Sequence, residues 1–207
     1  MFFYFLQGAA LALPSTVVPS PLKIFLISAA LENGWKRTAP ACFVPLVTDG
    51  LIIVLALFLL VQMPDWFLDT LRLIGGIFIL YLAGRTLAIL RSDEPVLKPP
   101  DDRVARQSFF KAVGVNFLNP NPYLLWGVIA GPIVLQAWRD QSFLFGLSFI
   151  VGFYLIFVSG LIALVIIFAK AGELNARLHT FLTGFAAIAL LLLGIFQIVT
   201  GTVALLG

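Results

Sequence analysis

Residues that carry thiol, metal or nucleotide chemistry are nearly missing from this 207-residue sequence. Cys42 is the single cysteine and His179 the single histidine, which excludes an intrachain disulfide and argues against a site of clustered metal ligands. No Gly-x-x-x-x-Gly-Lys-Ser/Thr loop occurs, so nucleotide hydrolysis of the P-loop type is also excluded. We therefore expect a protein without cofactor or metal that is not an enzyme.

Charge is also scarce, at 11% of the residues, whereas hydrophobic residues make up 61% and the mean hydropathy is +1.06. A soluble domain of this length cannot bury so much apolar surface, so the composition predicts an all-α integral membrane protein. Each stretch of about 20 apolar residues can cross a hydrocarbon core of about 30 Å. Six such stretches lie at residues 2–31, 38–62, 66–90, 109–137, 142–169 and 178–205.

The few basic residues are unevenly placed. Most of the 13 Lys and Arg residues lie in or beside the connections after the first, third and fifth stretches. The positive-inside rule makes those connections cytoplasmic and puts both termini outside. The N-terminus has neither a basic region nor a cleavage site, so we expect it to be the first helix and not a signal peptide. The net charge of +3 is spread over short loops, which favours membrane sorting and not nucleic-acid binding.

A segment of mixed charge and proline, from Arg91 to Gln107, divides the chain and is typical of a solvated linker. We expect a first three-helix unit at residues 1–91, a cytoplasmic linker at 92–107 and a second unit at 108–207. Because three is odd, the second unit must cross the bilayer in the opposite sense. The sequence thus predicts six transmembrane helices arranged as two inverted three-helix repeats.

Proline pairs interrupt the first and fourth stretches, at Pro19-Ser20-Pro21 and, 101 positions later, at Pro120-Asn121-Pro122. A proline lacks the N–H and leaves the carbonyl four residues earlier without its helical partner. Such groups are tolerated in a membrane where broken helices line a polar cavity, and matching breaks in two halves point to a central binding site. We predict that helices 1 and 4 are broken here and that both motifs line the site. The freed carbonyls would belong to Ser15, Val17, Asn116 and Leu118.

Two opposite charges lie inside the apolar stretches. Lys23 follows the first proline pair, and Asp49 lies in the second stretch. A tight turn around Trp35-Lys36 would place both at equal depth near the midplane, where inserting either charge costs about 2.5–3.5 kcal/mol. We expect them to lie within contact range beside a central cavity. An amino acid would suit the pair, with its carboxylate towards Lys23 and its ammonium towards Asp49, whereas a structural ion pair or a neutral Asp49 is the alternative.

Asp49 is the only acid deep in an apolar stretch. A solute that displaces Lys23 from Asp49 would change the proton affinity of the carboxylate, so we expect protons to be the coupling ion. Asn116, Asn119 and Asn121 cluster on the second break and could hold freed backbone groups or a polar solute. The alternative is that they only form turns and helix caps. Weaker candidates are Tyr4, Gln7, Tyr123, Tyr154, Ser159 and Gln197.

Several motifs, in order and across nearly the whole chain, resemble the LysE-type (LysE/RhtB) exporter family of bacteria. The resemblance implies a six-helix secondary transporter of the bacterial inner (plasma) membrane that exports amino acids or similar small solutes and is driven by protons. The chain departs from the family where Asn121 follows Asn119-Pro120, a position that often holds lysine. The motifs are Pro19-Ser20-Pro21, Glu32-Asn33-Gly34-Trp35-Lys36-Arg37, Asp49-Gly50, Leu71-Arg72-Leu73-Ile74-Gly75-Gly76, Tyr81-Leu82-Ala83-Gly84 and Asn119-Pro120.

Other classes of membrane protein make different demands on the sequence. An intramembrane aspartyl protease needs a pair of carboxylates, and Asp49 stands alone. An ion channel or a cation exporter of the same superfamily is the alternative, because a polar midplane with one carboxylate could pass an ion. The expected partners are a small solute, protons and membrane lipid, with no nucleic acid, and the sequence leaves both a monomer and a homodimer open.

Overall fold

The computed structural model describes residues 1–59, 65–90, 102–174 and 176–206, and this part of the chain is almost entirely helical. A 3₁₀ segment spans Ala39–Phe43, and a π-helical segment spans Leu125–Ala130. The α-helices are α1 (Phe2–Val17), α2 (Pro21–Asn33), α3 (Trp35–Thr38), α4 (Val44–Leu59), α5 (Asp65–Leu90), α6 (Asp102–Phe117), α7 (Pro120–Leu124), α8 (Gly131–Asp140), α9 (Phe143–Leu174) and α10 (Ala176–Leu206).

The first helix is broken at the proline pair. α1 ends at Val17 and α2 begins at Pro21, with an angle of 63° between them. Ser20 is extended, with φ −145° and ψ 158°, and Pro21 takes the first helical position, where its missing N–H costs nothing. The proline pair therefore ends one helix and starts the next.

The fourth helix is broken in the same way, but its connection is tighter. α6 ends at Phe117 and α7 begins at Pro120, with Asn119 extended between them. The Asn119 side chain accepts a hydrogen bond from the Asn121 N–H at 3.1 Å and so caps α7. The Asn116 carbonyl, predicted to be free, accepts from the Asn119 N–H at 3.2 Å, because the chain makes one tighter turn before it leaves the helix.

Three helical segments of the described residues are long and apolar enough to cross a membrane, namely Trp35–Leu55, Phe143–Leu174 and Arg177–Leu205. The bent pair of α1 and α2 makes a fourth. The predicted third span corresponds to α5, a helix of 26 residues. The predicted fourth span is divided among α6, α7, the π segment and α8, so each piece alone is short.

Glycines allow the long helices to approach closely. α1 packs along α9, where a β-carbon at Gly8 would overlap the Phe149 carbonyl and one at Gly152 would overlap the Phe5 carbonyl. α5 packs along α10, and a β-carbon at Gly76 would lie 2.8 Å from the Gly194 carbonyl oxygen. Both helix pairs therefore depend on residues without a side chain.

Two apolar cores lie on either side of the helix breaks. One surrounds α2, which is buried from Pro21 to Leu31, and includes Leu26, Ile79 and Leu161. The other surrounds α7 and the π segment and includes Trp126 and Phe149. The breaks thus fall between two dry layers. Of the predicted linker at 92–107, residues 92–101 lie outside the described residues, and residues 102–107 form the first turns of α6.

Candidate functional site

A cavity of about 270 Å³ lies where the two broken helices meet. Its walls include a residue of each apolar core, Leu22 from one and Phe153 from the other. Pro21 and Pro120, each the buried first residue of a helix, do not line it. The other eight predicted site residues do line it, namely Pro19, Ser20, Lys23, Asp49, Asn116, Asn119, Asn121 and Pro122.

Asp49 is the anionic group of this cavity and is only 4% exposed. Its Oδ1 accepts hydrogen bonds from Asn116 Nδ2 at 2.7 Å and from Thr48 Oγ1 at 3.4 Å. Its Oδ2 accepts from the Tyr154 hydroxyl at 3.2 Å. Neutral donors from α4, α6 and α9 thus hold the carboxylate, and Asn116 links the second helix break directly to it.

Lys23 is the cationic group and is equally buried, in the first turn of α2. Its ammonium donates a hydrogen bond to the carbonyl of Val18, the residue that follows α1. The charged side chain therefore satisfies a carbonyl that the break leaves without a helical partner.

Lys23 and Asp49, predicted to lie within contact range, line the same cavity but form no ion pair with each other. Within the described part of the chain the one ion pair joins Arg72 and Asp69 on α5, at 2.6 Å. Equal depth brings Lys23 and Asp49 to the same cavity, but helix rotation turns each towards a nearer neutral partner, a carbonyl for the lysine and an amide and hydroxyls for the aspartate. The two charges face the cavity independently.

Aromatic side chains form one wall of the site, and sequence reasoning missed most of them. Trp126 stacks on Tyr154 with centroids 5.9 Å apart, and its edge meets Phe153 at 5.3 Å. Its indole nitrogen is buried beside the Asp49 carboxylate and the Tyr154 hydroxyl. The π segment, which carries Trp126, is the helical irregularity often found at functional sites. Spacing gave a signal, since Phe153 and Phe157 lie one turn apart and both line the cavity.

The weaker candidates separate into two groups. Tyr154 holds Asp49, and the Tyr123 hydroxyl donates to the Phe117 carbonyl at 3.0 Å, which satisfies the end of α6. None of the six weaker candidates is among the residues that line the cavity, and four of them also have no contact with its polar groups, namely Tyr4, Gln7, Ser159 and Gln197.

A second polar cluster, largely buried, lies farther along α2, and sequence reasoning did not identify it. The Ser28 hydroxyl donates to Glu32 Oε1 at 2.9 Å, and the Thr86 hydroxyl on α5 lies 3.2 Å from the same oxygen. Glu32 was part of a recognised motif, but its position at the end of the first apolar stretch hid these hydrogen bonds.

The cavity at the helix breaks combines one ammonium, one carboxylate and several amides within apolar walls. This is the chemistry needed to hold a small polar molecule.

A family model described as LysE type translocator matches residues 14–201. The matched residues include both helix breaks and every residue that lines the cavity. No curated protein and no solved structure matches the chain. The resemblance expected from the motifs is confirmed. The chain thus belongs to the LysE type translocator family and is a multi-pass membrane protein of a family that transports small solutes.

Proposed function

We propose that this protein exports amino acids or similar zwitterionic solutes across the bacterial inner membrane in exchange for protons. The observation that carries the proposal is the cavity between the two broken helices, which holds one buried ammonium, Lys23, and one buried carboxylate, Asp49. In a membrane protein, buried ionisable groups beside broken helices are typical of a solute or proton pathway.

A small zwitterion matches the charges and the size of the cavity. Its carboxylate would take the place of the Val18 carbonyl at Lys23, and its ammonium would approach Asp49. A water molecule occupies about 30 Å³ in the liquid, so a cavity of about 270 Å³ suits a solute of several heavy atoms. Asn119 and Asn121 supply further donors and acceptors at the second break.

Proton coupling follows from how Asp49 is held. Its hydrogen-bond partners include two neutral donors, the Asn116 amide and the Tyr154 hydroxyl. The Tyr154 ring stacks on Trp126. An arriving ammonium favours the ionised carboxylate, whereas solute release favours the protonated acid. Solute and proton would therefore occupy the site in turn, which is the requirement for exchange.

An inverted repeat with six spans and both termini outside is the proposed topology. Helix pairing supports it, because the first span of the first unit packs on the second span of the other unit, as α1 with α9. The reciprocal pair is α4 with α6, α7 and α8, and the two third spans, α5 and α10, pack on each other. An in-plane two-fold axis would generate this exchange.

Counterflow in proteoliposomes tests the function. Vesicles loaded with a mixture of neutral amino acids should accumulate an external labelled amino acid, with a rate that saturates. The controls are proteoliposomes without internal amino acids and liposomes made from lipid without the protein. A non-saturating ion current without exchange of any amino acid would instead support the channel or cation exporter.

A further inference from the structure

The Ser28, Glu32 and Thr86 cluster joins two helices beyond the cavity. Ser28 and Glu32 lie one turn apart on α2, and Thr86 lies on α5. The two hydroxyl oxygens are 3.0 Å apart, and both lie within hydrogen-bond distance of Glu32 Oε1. Ser28 is 2% exposed and Thr86 4% exposed. The contact between these helices at this depth is therefore a closed polar network.

Positive charge from two further positions acts on the same carboxylate. Arg85 on α5 and Lys111 on α6 line a small cavity with Glu32 and interact with it electrostatically. The cluster consequently links the ends of α2 and α5 to the middle of α6. The ends of α2 and α5 adjoin connections rich in basic residues, which the positive-inside rule assigns to the cytoplasm.

α2 connects this cluster to the solute cavity. Lys23 lies in its first turn and Glu32 nine positions later, about 14 Å along the helix. Between them α2 is fully buried, and Leu26 and Ala29 pack in the same core as Ile79 and Leu82 of α5. Separation of α2 from α5 would therefore open a route from the cytoplasmic side to the cavity at the first turn of α2.

A polar contact is suited to repeated separation. Hydroxyls and a carboxylate can exchange their mutual hydrogen bonds for bonds to water at a small net cost. Separating two apolar surfaces exposes both to water, and no new bond offsets that cost. The neighbouring pairing of α5 with α10, by contrast, is made through glycines that approach within contact of a carbonyl. The polar contact between α2 and α5 is thus better suited to separation than the contact between α5 and α10.

We propose that Ser28, Glu32 and Thr86 form the cytoplasmic gate of the transport pathway, closed in this structure and separated when solute enters the cavity. The gate rests on the proposed function, because a pathway is needed for a gate to close. It adds a second functional use of α2, which binds solute with its first turn and closes the pathway with its last.

A reversible disulfide tests the gate. With Cys42 replaced by alanine, Ser28→Cys and Thr86→Cys supply the only thiols, at positions whose oxygens are 3.0 Å apart. Oxidation should reduce amino-acid exchange to about a tenth or less, since a locked gate removes the open state, and reduction should restore it. Each single cysteine variant should exchange amino acids at the same rate before and after oxidation, whatever that rate is. Continued exchange after the disulfide has formed, or failure of the disulfide to form, would overturn the gate.

A labelling measurement separates the gate from the proposed function. In the Cys42→Ala background, Ser20→Cys places a thiol in the cavity wall. A membrane-impermeant maleimide applied from the cytoplasmic side should label it about tenfold faster when Glu32→Ala removes the hydrogen-bonded carboxylate. Glu173→Ala, an exposed carboxylate near the end of α9, is the matched control and should leave the rate unchanged.

The exchange measurement and the labelling measurement test the gate and the proposed solute separately. Labelling that ignores Glu32→Ala overturns the gate, whether or not amino acids are exchanged. Gated labelling without exchange of any amino acid retains the gate and refutes the proposed solute. If the double cysteine variant does not fold, the labelling comparison still decides.

Discussion

The two helix breaks share a backbone device and differ in chemistry. At the first, a charged group satisfies the broken end, since the Lys23 ammonium donates to the Val18 carbonyl. At the second, neutral groups do so, with the Asn119 side chain capping α7 and the Tyr123 hydroxyl satisfying the Phe117 carbonyl. The repeated prolines therefore fix where the helices break, while the residues beside them give each side a different set of polar groups.

The two units also contribute differently to the surroundings of Asp49. Asp49 belongs to the first unit, but its shortest hydrogen bond comes from Asn116, beside the second break. Its other hydrogen bond from the second unit comes from the Tyr154 hydroxyl on α9. The second unit thus contributes no charge to the cavity lining and instead orients the charge of the first.

Replacing the charge at the first break should have the largest effect among the break residues. Lys23→Met removes the ammonium that would bind a carboxylate and leaves the Val18 carbonyl without this donor. We expect exchange to fall by about 100-fold, because hydrogen bonds to charged groups contribute about 1.5–3 kcal/mol each. Counterflow at matched protein content measures it. Lys170→Met, an exposed position on α9, is the control, and equal losses in both variants would refute the special role of Lys23.

The neutral partner at the second break should have an intermediate effect. Asn116→Leu removes the amide that donates to Asp49 and Thr48 but keeps the volume of the side chain. Exchange should fall by about tenfold, because one hydrogen bond to the carboxylate is lost while Tyr154 and Thr48 remain.

Asn33→Leu provides the comparison for Asn116→Leu, because Asn33 lies at the far end of α2, outside the cavity lining. A tenfold loss in Asn116→Leu alone ties the second break to the acid. Unchanged exchange in Asn116→Leu would mean that the two units do not share the site.

The smallest effect should come from a residue whose hydroxyl satisfies the backbone at the second break. Tyr123→Phe removes the hydroxyl that satisfies the Phe117 carbonyl and keeps the ring that meets Phe117. The thermal midpoint in detergent should fall by a few degrees, since a buried acceptor left unpaired costs about 1–3 kcal/mol, while exchange changes little. Tyr81→Phe, exposed on α5, should leave the midpoint unchanged. A large loss of exchange in Tyr123→Phe would instead make the hydroxyl part of the solute site.

How far the sequence predicts the site depends on the distance over which each effect acts. The breaks follow from proline itself, whose missing N–H acts within one turn, so both positions could be predicted. The shared depth of Lys23 and Asp49 follows from counting residues on either side of a turn. Their rotation about the helix axes does not, because packing against distant segments sets it, and each side chain meets a different neutral partner.

Contacts between the two units were beyond sequence reasoning for the same reason. The hydrogen bond from Asn116 to Asp49 spans 67 positions, and the bond from Tyr154 spans 105. Trp126 was hidden among many aromatic residues whose abundance a lipid-facing surface already explains. Glu32 was hidden by its place at the end of an apolar stretch, where an acid is expected to reach water.

The central claim, that the cavity exchanges a zwitterion for a proton at Asp49, is tested most directly by Asp49→Asn. The amide keeps the shape and can still bond Asn116, but it cannot bind or release a proton. With a proton gradient imposed on proteoliposomes, uphill export by Asp49→Asn should be abolished while downhill exchange persists. Asp69→Asn, whose carboxylate pairs with Arg72, should retain uphill export. Undiminished uphill export by Asp49→Asn, at matched protein content and across a range of external pH, would contradict the account.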